Sequence, residues 1–165
     1  MEIDSLQKLY VDELKDLYSA EKQILQALPR MAKKASNPQL RQAFEEHLAV
    51  TRTHVERLDR IFERLERSPR GKKCKGMEGL LEEGKEVMQE DMDPEVLDAA
   101  LIAAAQRVEH YEIAGYGTVR SYARLLREDE DARLLQQTLD EEGEADQKLT
   151  QLAESSINVE AMQEA

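Results

Sequence analysis

Much of what holds a small secreted or β-rich domain together is missing from this sequence. There is a single cysteine, Cys74, so neither an intramolecular disulfide framework nor a thiolate metal cluster can form. Tryptophan is absent and aromatic residues make up only 4% of the chain, too few for the aromatic and β-branched surfaces through which sheets pack. No apolar run approaches the ~18 residues of a membrane span. The first residues, Met-Glu-Ile-Asp-Ser, do not read as a charged region followed by an apolar one, so no signal peptide is expected. Basic residues are scarce relative to acidic ones, 23 against 35, and a net charge of -12 repels phosphate, which excludes a general nucleic-acid binder. These absences predict an unprocessed, soluble protein of a reducing compartment, with the cytoplasm as its location and no membrane partner.

What is present is charge arranged at helical spacing. Charged residues are 35% of a chain of 165, a length that suits one domain, and residues 1–165 are expected to form it. Ile3, Leu6, Tyr10, Leu14, Leu17, Ile24, Leu28, Met31 and Ala35 form one long apolar stripe, with Pro29 predicting a kink. Ser36-Asn37-Pro38 offers a cap and a proline at the first helical position, and Leu40, Phe44, Leu58, Ile61 and Leu65 carry a second stripe back. Ser68-Pro69-Arg70-Gly71 ends it. The stretch to Asp93 holds one shorter amphipathic piece around Met77, Leu80, Leu81, Val87 and Met88, and Cys74 with the neighbouring basic residues reads as solvated crossover. Asp93-Pro94 opens a third long stripe, Leu97 to Leu126. An acidic turn, Glu128 to Asp131, precedes a fourth, Leu135 to Leu152, with a polar tail from about Ser155. Two helical hairpins joined by a long crossover containing one short helix is the connectivity of an all-α, ferritin-like, up-down four-helix bundle.

The functional signal lies where these stripes are interrupted. Glu21 occupies the inward position between Leu17 and Ile24. His47 and His54 lie in the seam that includes Leu40, Phe44, Thr51 and Leu58. Glu112 stands inward on the third helix with Glu109 three residues earlier on an adjoining face, and Glu142 and Asp146 interrupt the fourth. Because residues equidistant from a hairpin turn lie side by side, the breaks on the first two helices fall level, as do those on the last two. Several buried carboxylates without partners would each cost on the order of several kcal/mol, and no lysine or arginine stands in the stripes beside them, so divalent metal ions are the expected neutralising groups. Oxygen and imidazole donors suit iron, with manganese or zinc as alternatives and copper less natural. Against this stand two simpler readings: acids paired with inward basic side chains, and hydrogen-bonded core histidines. His110 is expected to face away from the core. Tyr18 and Tyr111 stand next to the candidate ligands, and Gly115 and Gly143 offer close helix approach.

At these residues the chain resembles the YciE/YciF family of bacterial stress-associated proteins, through Tyr18-Ser-Ala-Glu-Lys-Gln23, Met77-Glu-Gly-Leu80, Ala99-Ala-Leu-Ile-Ala-Ala-Ala-Gln106 and Val108-Glu-His-Tyr-Glu-Ile113. The resemblance implies a rubrerythrin-related ferritin-like fold, usually dimeric, and an iron-oxidising role using dioxygen or peroxide. Carried over by position, it implies Glu21, Glu109, Glu112, Glu142 and Asp146 as metal ligands. The second helix departs from the ferritin-like pattern: no Glu-x-x-His occurs, and Thr51 stands three residues before His54. With His47 and His54 as nitrogen donors in its place, two metals, one or none remain open. The competing reading is a non-catalytic helical stress protein with a degenerate polar core that acts by dimerising or binding a partner.

Overall fold

The fold is built by helix caps and by one polar layer inserted between two apolar ones. A computed structural model describes residues 2–163, and among these every regular element is helical. They are α1 (Leu6–Lys34), α2 (Pro38–Leu65), α3 (Lys75–Gln89), α4 (Pro94–Leu125), α5 (Asp129–Leu152) and α6 (Asn158–Gln163), with a π-helical segment Ala153–Ile157 joining the last two. No helix is long and apolar enough to cross a membrane.

The boundaries follow local chemistry. Ser5 Oγ accepts from Lys8 N at 3.3 Å to start α1, and Lys33 and Lys34 place positive charge at its carbonyl end. Asn37 Oδ1 accepts from the backbone N–H of Gln39 and Leu40 at 2.9 and 3.1 Å, and Pro38 takes the first helical position of α2, where no donor is needed. The acids expected to form a turn before the last long helix instead supply its first turn: Asp129, Glu130 and Asp131 lie within α5, where the helix dipole favours them. Glu66 and Arg127 end α2 and α4 in the left-handed region, with φ of 52° and 60°. Arg67 N and Glu128 N then reach back to Phe62 O and Ala123 O, so two helices stop without the glycine that usually marks such a stop.

Each long helix packs on two others, α1 on α2 and α4, and α5 on α4 and α2, while α3 lies across α1 and α4. Buried polar contacts tie the ends. Asp98 on α4 accepts from the backbone N–H of Ser36 and Asn37 at 2.8 and 2.9 Å, locking the α1–α2 turn. At the opposite end Asp131 accepts from Tyr10 Oη at 3.0 Å and pairs with Arg64 Nη1 at 2.9 Å. Gly115 lies at a close approach, since a Cβ there would stand 2.6 Å from Leu17 Cδ2 and the leucine side chain would have to shift; Gly143 meets nothing within 4 Å, so only one of the two glycines serves helix contact.

Two sequence expectations are corrected. The tail from Ser155 is not a frayed polar end: helix continues to Gln163, and Ile157 is buried beside Ala153 in the same cluster as Leu149. Of the tail's larger apolar residues, Ile157, Val159 and Met162, only Ile157 is buried, and so short a segment carries too little periodicity to announce this. Cys74 is likewise buried rather than solvated. Its thiol touches Tyr111 Oη at 2.9 Å, its N–H donates to Ser19 Oγ at 2.8 Å and its carbonyl accepts from Gln23 at 3.1 Å, which fastens the start of α3 to α1.

Because Asp98 satisfies two backbone donors from a buried position, Asp98→Ala is expected to cost about 2–3 kcal/mol. That lowers the thermal midpoint by roughly 5–10 °C in a chain of this size, with Asp98→Asn recovering part of the loss. Differential scanning calorimetry checks this.

Candidate metal centre

The apolar interior is divided. One cluster fills the half around Ile24, Leu28, Met31, Phe44 and Leu101, and another fills the half around Leu14, Leu17, Leu58, Ile61 and Val119. Between them lie Glu21, Thr51, His54, Glu109, Glu112, Thr138 and Glu142, all buried. The Thr51 hydroxyl hydrogen is spent within its own helix, Oγ1 donating to His47 O at 2.7 Å.

The remaining polar atoms converge. His54 Nδ1 lies 2.8 Å from Glu142 Oε1 and 3.2 Å from Glu21 Oε2, yet makes no properly directed hydrogen bond to either. His47 Nε2 lies 2.9 Å from Glu109 Oε1 and 3.9 Å from Glu142 Oε2. Two donor groups result, Glu21–His54–Glu112–Glu142 and His47–Glu109–Glu142, each with one ligand atom per residue within 4.8 Å of the others. Two metal–ligand bonds of ~2.1 Å separate opposite donors by ~4.2 Å, so each set has the span of a coordination shell. Glu142 belongs to both, with one oxygen toward each imidazole.

Six of the seven candidate ligands are therefore brought together. Asp146 is not: it lies one turn beyond Glu142, and its Oδ2 contacts His110 Nε2 at 3.1 Å on a largely exposed ring. The outward position of His110 follows the expected phase. Tyr18 and Tyr111 also turn elsewhere, Tyr18 edge-on to Phe62 and Tyr111 donating to Asp16 Oδ2 at 2.7 Å. The tyrosine at the centre is Tyr116, fully buried with its hydroxyl unpartnered and its ring 6.2 Å from that of His54. Its position four residues after Glu112 was the available signal. Glu141 and Arg57 were not singled out either; Arg57 Nη1 lies 2.7 Å from Glu141 Oε1 and 3.0 Å from Thr138 Oγ1, and Glu141 stands 3.4 Å from His54 Nε2.

The charges have no conventional partners. Among the described residues no lysine or arginine pairs with Glu21, Glu109, Glu112 or Glu142. Burial pushes Glu21 up to about 8 and carries Glu112 and Glu142 well above the usual carboxylate range, reinforced by neighbouring acids. Burial opposes charge on Glu109 too, but the neighbouring Glu142 carboxyl and the nearby His47 hold it below its ordinary value. His47 is raised: burial works against its charge, and Glu109 outweighs that. Burial pushes His54 down to about 4, leaving the neutral imidazole that metals bind. Both oxygens of Glu21, Glu112 and Glu142, with Glu109 Oε2, lack any hydrogen-bond partner. Unpartnered buried donors of this type, hard oxygens plus neutral imidazole, fit iron, manganese or zinc.

Comparison with known proteins agrees with this architecture. A family profile described as "Domain of unknown function (DUF892)" matches residues 5–162. Protein YciF of Escherichia coli (strain K12) is 45% identical across the whole of both chains. The crystal structure of that protein, there called a stress protein, superposes with a TM-score of 0.91, covering 94% of this chain and 99% of its own. YcfI of Rhodopseudomonas palustris, 43% identical, gives a TM-score of 0.87 over 90% and 95% of the two chains. A protein of Xanthomonas campestris pv. campestris shares the fold at 23% identity, with a TM-score of 0.77 over 96% and 97%.

The raised carboxyls give the metal-free protein a definite pH response. Glu21 contributes stability that is complete below the ordinary carboxylate value of 4.5 and is lost as pH rises through about 8. A divalent cation must displace the same protons, so Zn(II) affinity is expected to rise between about pH 6 and 8, with measurable proton release on binding. Calorimetry in buffers of different ionisation enthalpy measures both. Affinity independent of pH, with no proton released, would mean that these acids are not ligands.

Proposed function

The chain belongs to the DUF892 family and is a full-length relative of the E. coli protein YciF; from that premise we propose that it is a ferritin-like four-helix bundle of one domain that oxidises ferrous iron with dioxygen or peroxide in a stress response. The observation that carries this reading is the convergence of Glu21, His47, His54, Glu109, Glu112 and Glu142 from α1, α2, α4 and α5, with both oxygens of Glu21, Glu112 and Glu142 and Oε2 of Glu109 unpartnered and, among the described residues, no lysine or arginine paired with them. A non-catalytic core has a simpler solution available, a hydrogen-bonded network in which each acid finds a donor, and this interior does not use it.

Ferrous iron is the substrate, and two ions together deliver the two electrons that a peroxide O–O bond accepts. Glu21, His54 and Glu112 would hold one ion and His47 and Glu109 the other, with Glu142 able to serve either. Glu142 stands between the two imidazoles from α5, 2.8 Å from His54 Nδ1 and 3.9 Å from His47 Nε2, and burial favours the neutral form of His54. Glu21, Glu112 and Glu142 give up protons when cations bind and take them back when ferric product leaves, so each turnover returns the site to its neutral form. The apolar clusters on either side exclude bulk water, which strengthens every charge interaction inside. The same reading includes the homodimer that the family resemblance implies; sedimentation velocity is expected to give about twice the chain mass of 18.9 kDa.

Protein produced in iron-supplemented medium is expected to retain roughly two iron ions per chain by metal analysis. The double variant Glu21→Ala plus Glu112→Ala should hold metal more than ~100-fold more weakly and lose ferrous oxidation above background. Equal iron content and equal oxidation rates in the two proteins would reject an enzymatic role and leave the non-catalytic stress protein.

A further inference from the structure

The two donor groups are not equally enclosed. Glu21 and His54 are sealed, whereas the side chain of His47 keeps 11% of its surface accessible, and the accessible side opens onto a cavity of about 260 Å³. His47 and Glu109 line its inner end. From there it follows α1 past Ile24 and Leu28 to Met31, seven residues along the axis, or about 10 Å. Phe44, Val108 and Leu149 make the remaining walls mostly hydrocarbon. Water needs two to four polar partners to be held in such a place, and an apolar cavity of ~150 Å³ already admits benzene, so this one accommodates roughly ten non-hydrogen atoms.

Charge narrows the occupant. Glu46, Glu141 and Glu144 surround the opening, and the one cation there, Lys148, is already engaged by Glu46 at 2.5 Å. At the inner end stands Glu109, whose Oε2 is buried and has no hydrogen-bond partner. An anionic head therefore meets like charge at the opening, and a cationic one would have to cross hydrocarbon to reach Glu109. A neutral molecule with an apolar body and a single hydroxylic head fits, its O–H donating to Glu109 Oε2, a buried oxygen without a partner. Dioxygen and hydrogen peroxide need no cavity of this size.

We propose that the pocket receives an organic hydroperoxide, its hydrocarbon body among Leu28, Phe44 and Leu149 and its O–O–H head at His47 and Glu109. This rests on the iron-oxidising reading and names its oxidant. The balance is complete: the O–O bond breaks, two ferrous ions become ferric by giving one electron each, two protons are taken up, and one alcohol and one water leave.

The test separates the pocket from the redox reading. The probe is 2-phenylpropan-2-ol, the unreactive alcohol left by cumene hydroperoxide, titrated calorimetrically into metal-free and zinc-loaded protein. Submillimolar binding is expected, lost by tenfold or more in Ala145→Phe, which fills the opening without touching a donor, and in Ala105→Leu, a second substitution lower in the cavity. Octanoate should not bind. With ferrous iron supplied, cumene hydroperoxide should oxidise it at least tenfold more slowly in Ala145→Phe than in the unaltered chain, while hydrogen peroxide acts equally on both. No alcohol binding, binding indifferent to both substitutions, or a preference for octanoate would overturn the pocket while hydrogen peroxide still oxidises iron. Alcohol binding that the substitutions abolish, with neither peroxide oxidising iron, would overturn the redox reading and the hydroperoxide with it.

Discussion

The cost of burying negative charge governs this molecule. Glu21, Glu109, Glu112 and Glu142 sit in one layer at the middle of the helices, and among the described residues no lysine or arginine pairs with them. Left ionised and alone, they would oppose folding by several kcal/mol each, on the order of the whole stability of a domain this size. Without metal, burial favours the protonated form of Glu21, Glu112 and Glu142, and the Glu109 carboxylate favours charge on His47. That arrangement leaves carboxyl oxygens without donors, so protonation removes the charge but not the unmet hydrogen-bonding capacity. A divalent cation removes both at once.

Stability must then come from elsewhere, and its distribution is consistent with that. Two separate apolar clusters flank the polar layer, and buried carboxylates with ordinary partners fasten the ends: Asp98 on the α1–α2 turn, Asp131 between Tyr10 and Arg64. The contrast between these acids and the central ones is informative. Asp98 and Asp131 are equally hidden but each accepts two hydrogen bonds, so each is explained by its place in the fold. The central acids have no such explanation, which is why the proposal of a metal centre falls on them and not on every buried carboxylate.

The helices and the residues of the polar layer were legible because helical phase is a strong signal over long segments. Glu21 between Leu17 and Ile24, or Glu112 in phase with Val108 and Val119, can be placed inward without coordinates. Asp146 shows where phase gives out: one turn past Glu142, it shares the side of α5 that faces α4, but the stripe is broader than the site, and the residue falls on its edge beside His110. Tyr116 was hidden for the opposite reason, since a tyrosine in an apolar stripe is indistinguishable from core until its hydroxyl is seen without a partner. Cys74 and Ile157 were misjudged because local composition, basic in one case and polar in the other, says nothing about a distant surface that folds over it. Both are long-range contacts, and periodicity carries no information about them.

The absent Glu-x-x-His on α2 has a consequence for how the site is shared among helices. A glutamate three residues before His54 would present its oxygen from α2; Thr51 stands there instead and spends its hydroxyl on the backbone of its own helix. The carboxylate common to both donor groups comes from α5, where Glu142 turns one oxygen toward His54 and the other toward His47. His47 and His54 are seven residues apart, two turns, so they stand above one another on a single face and span the distance between the two groups. Nitrogen donors from α2 and one shared acid from α5 thus redistribute the same set of ligand types without adding buried charge on α2. Four buried carboxylates stand in this central layer among the described residues, and a fifth on α2 would have deepened the penalty from which the whole arrangement starts.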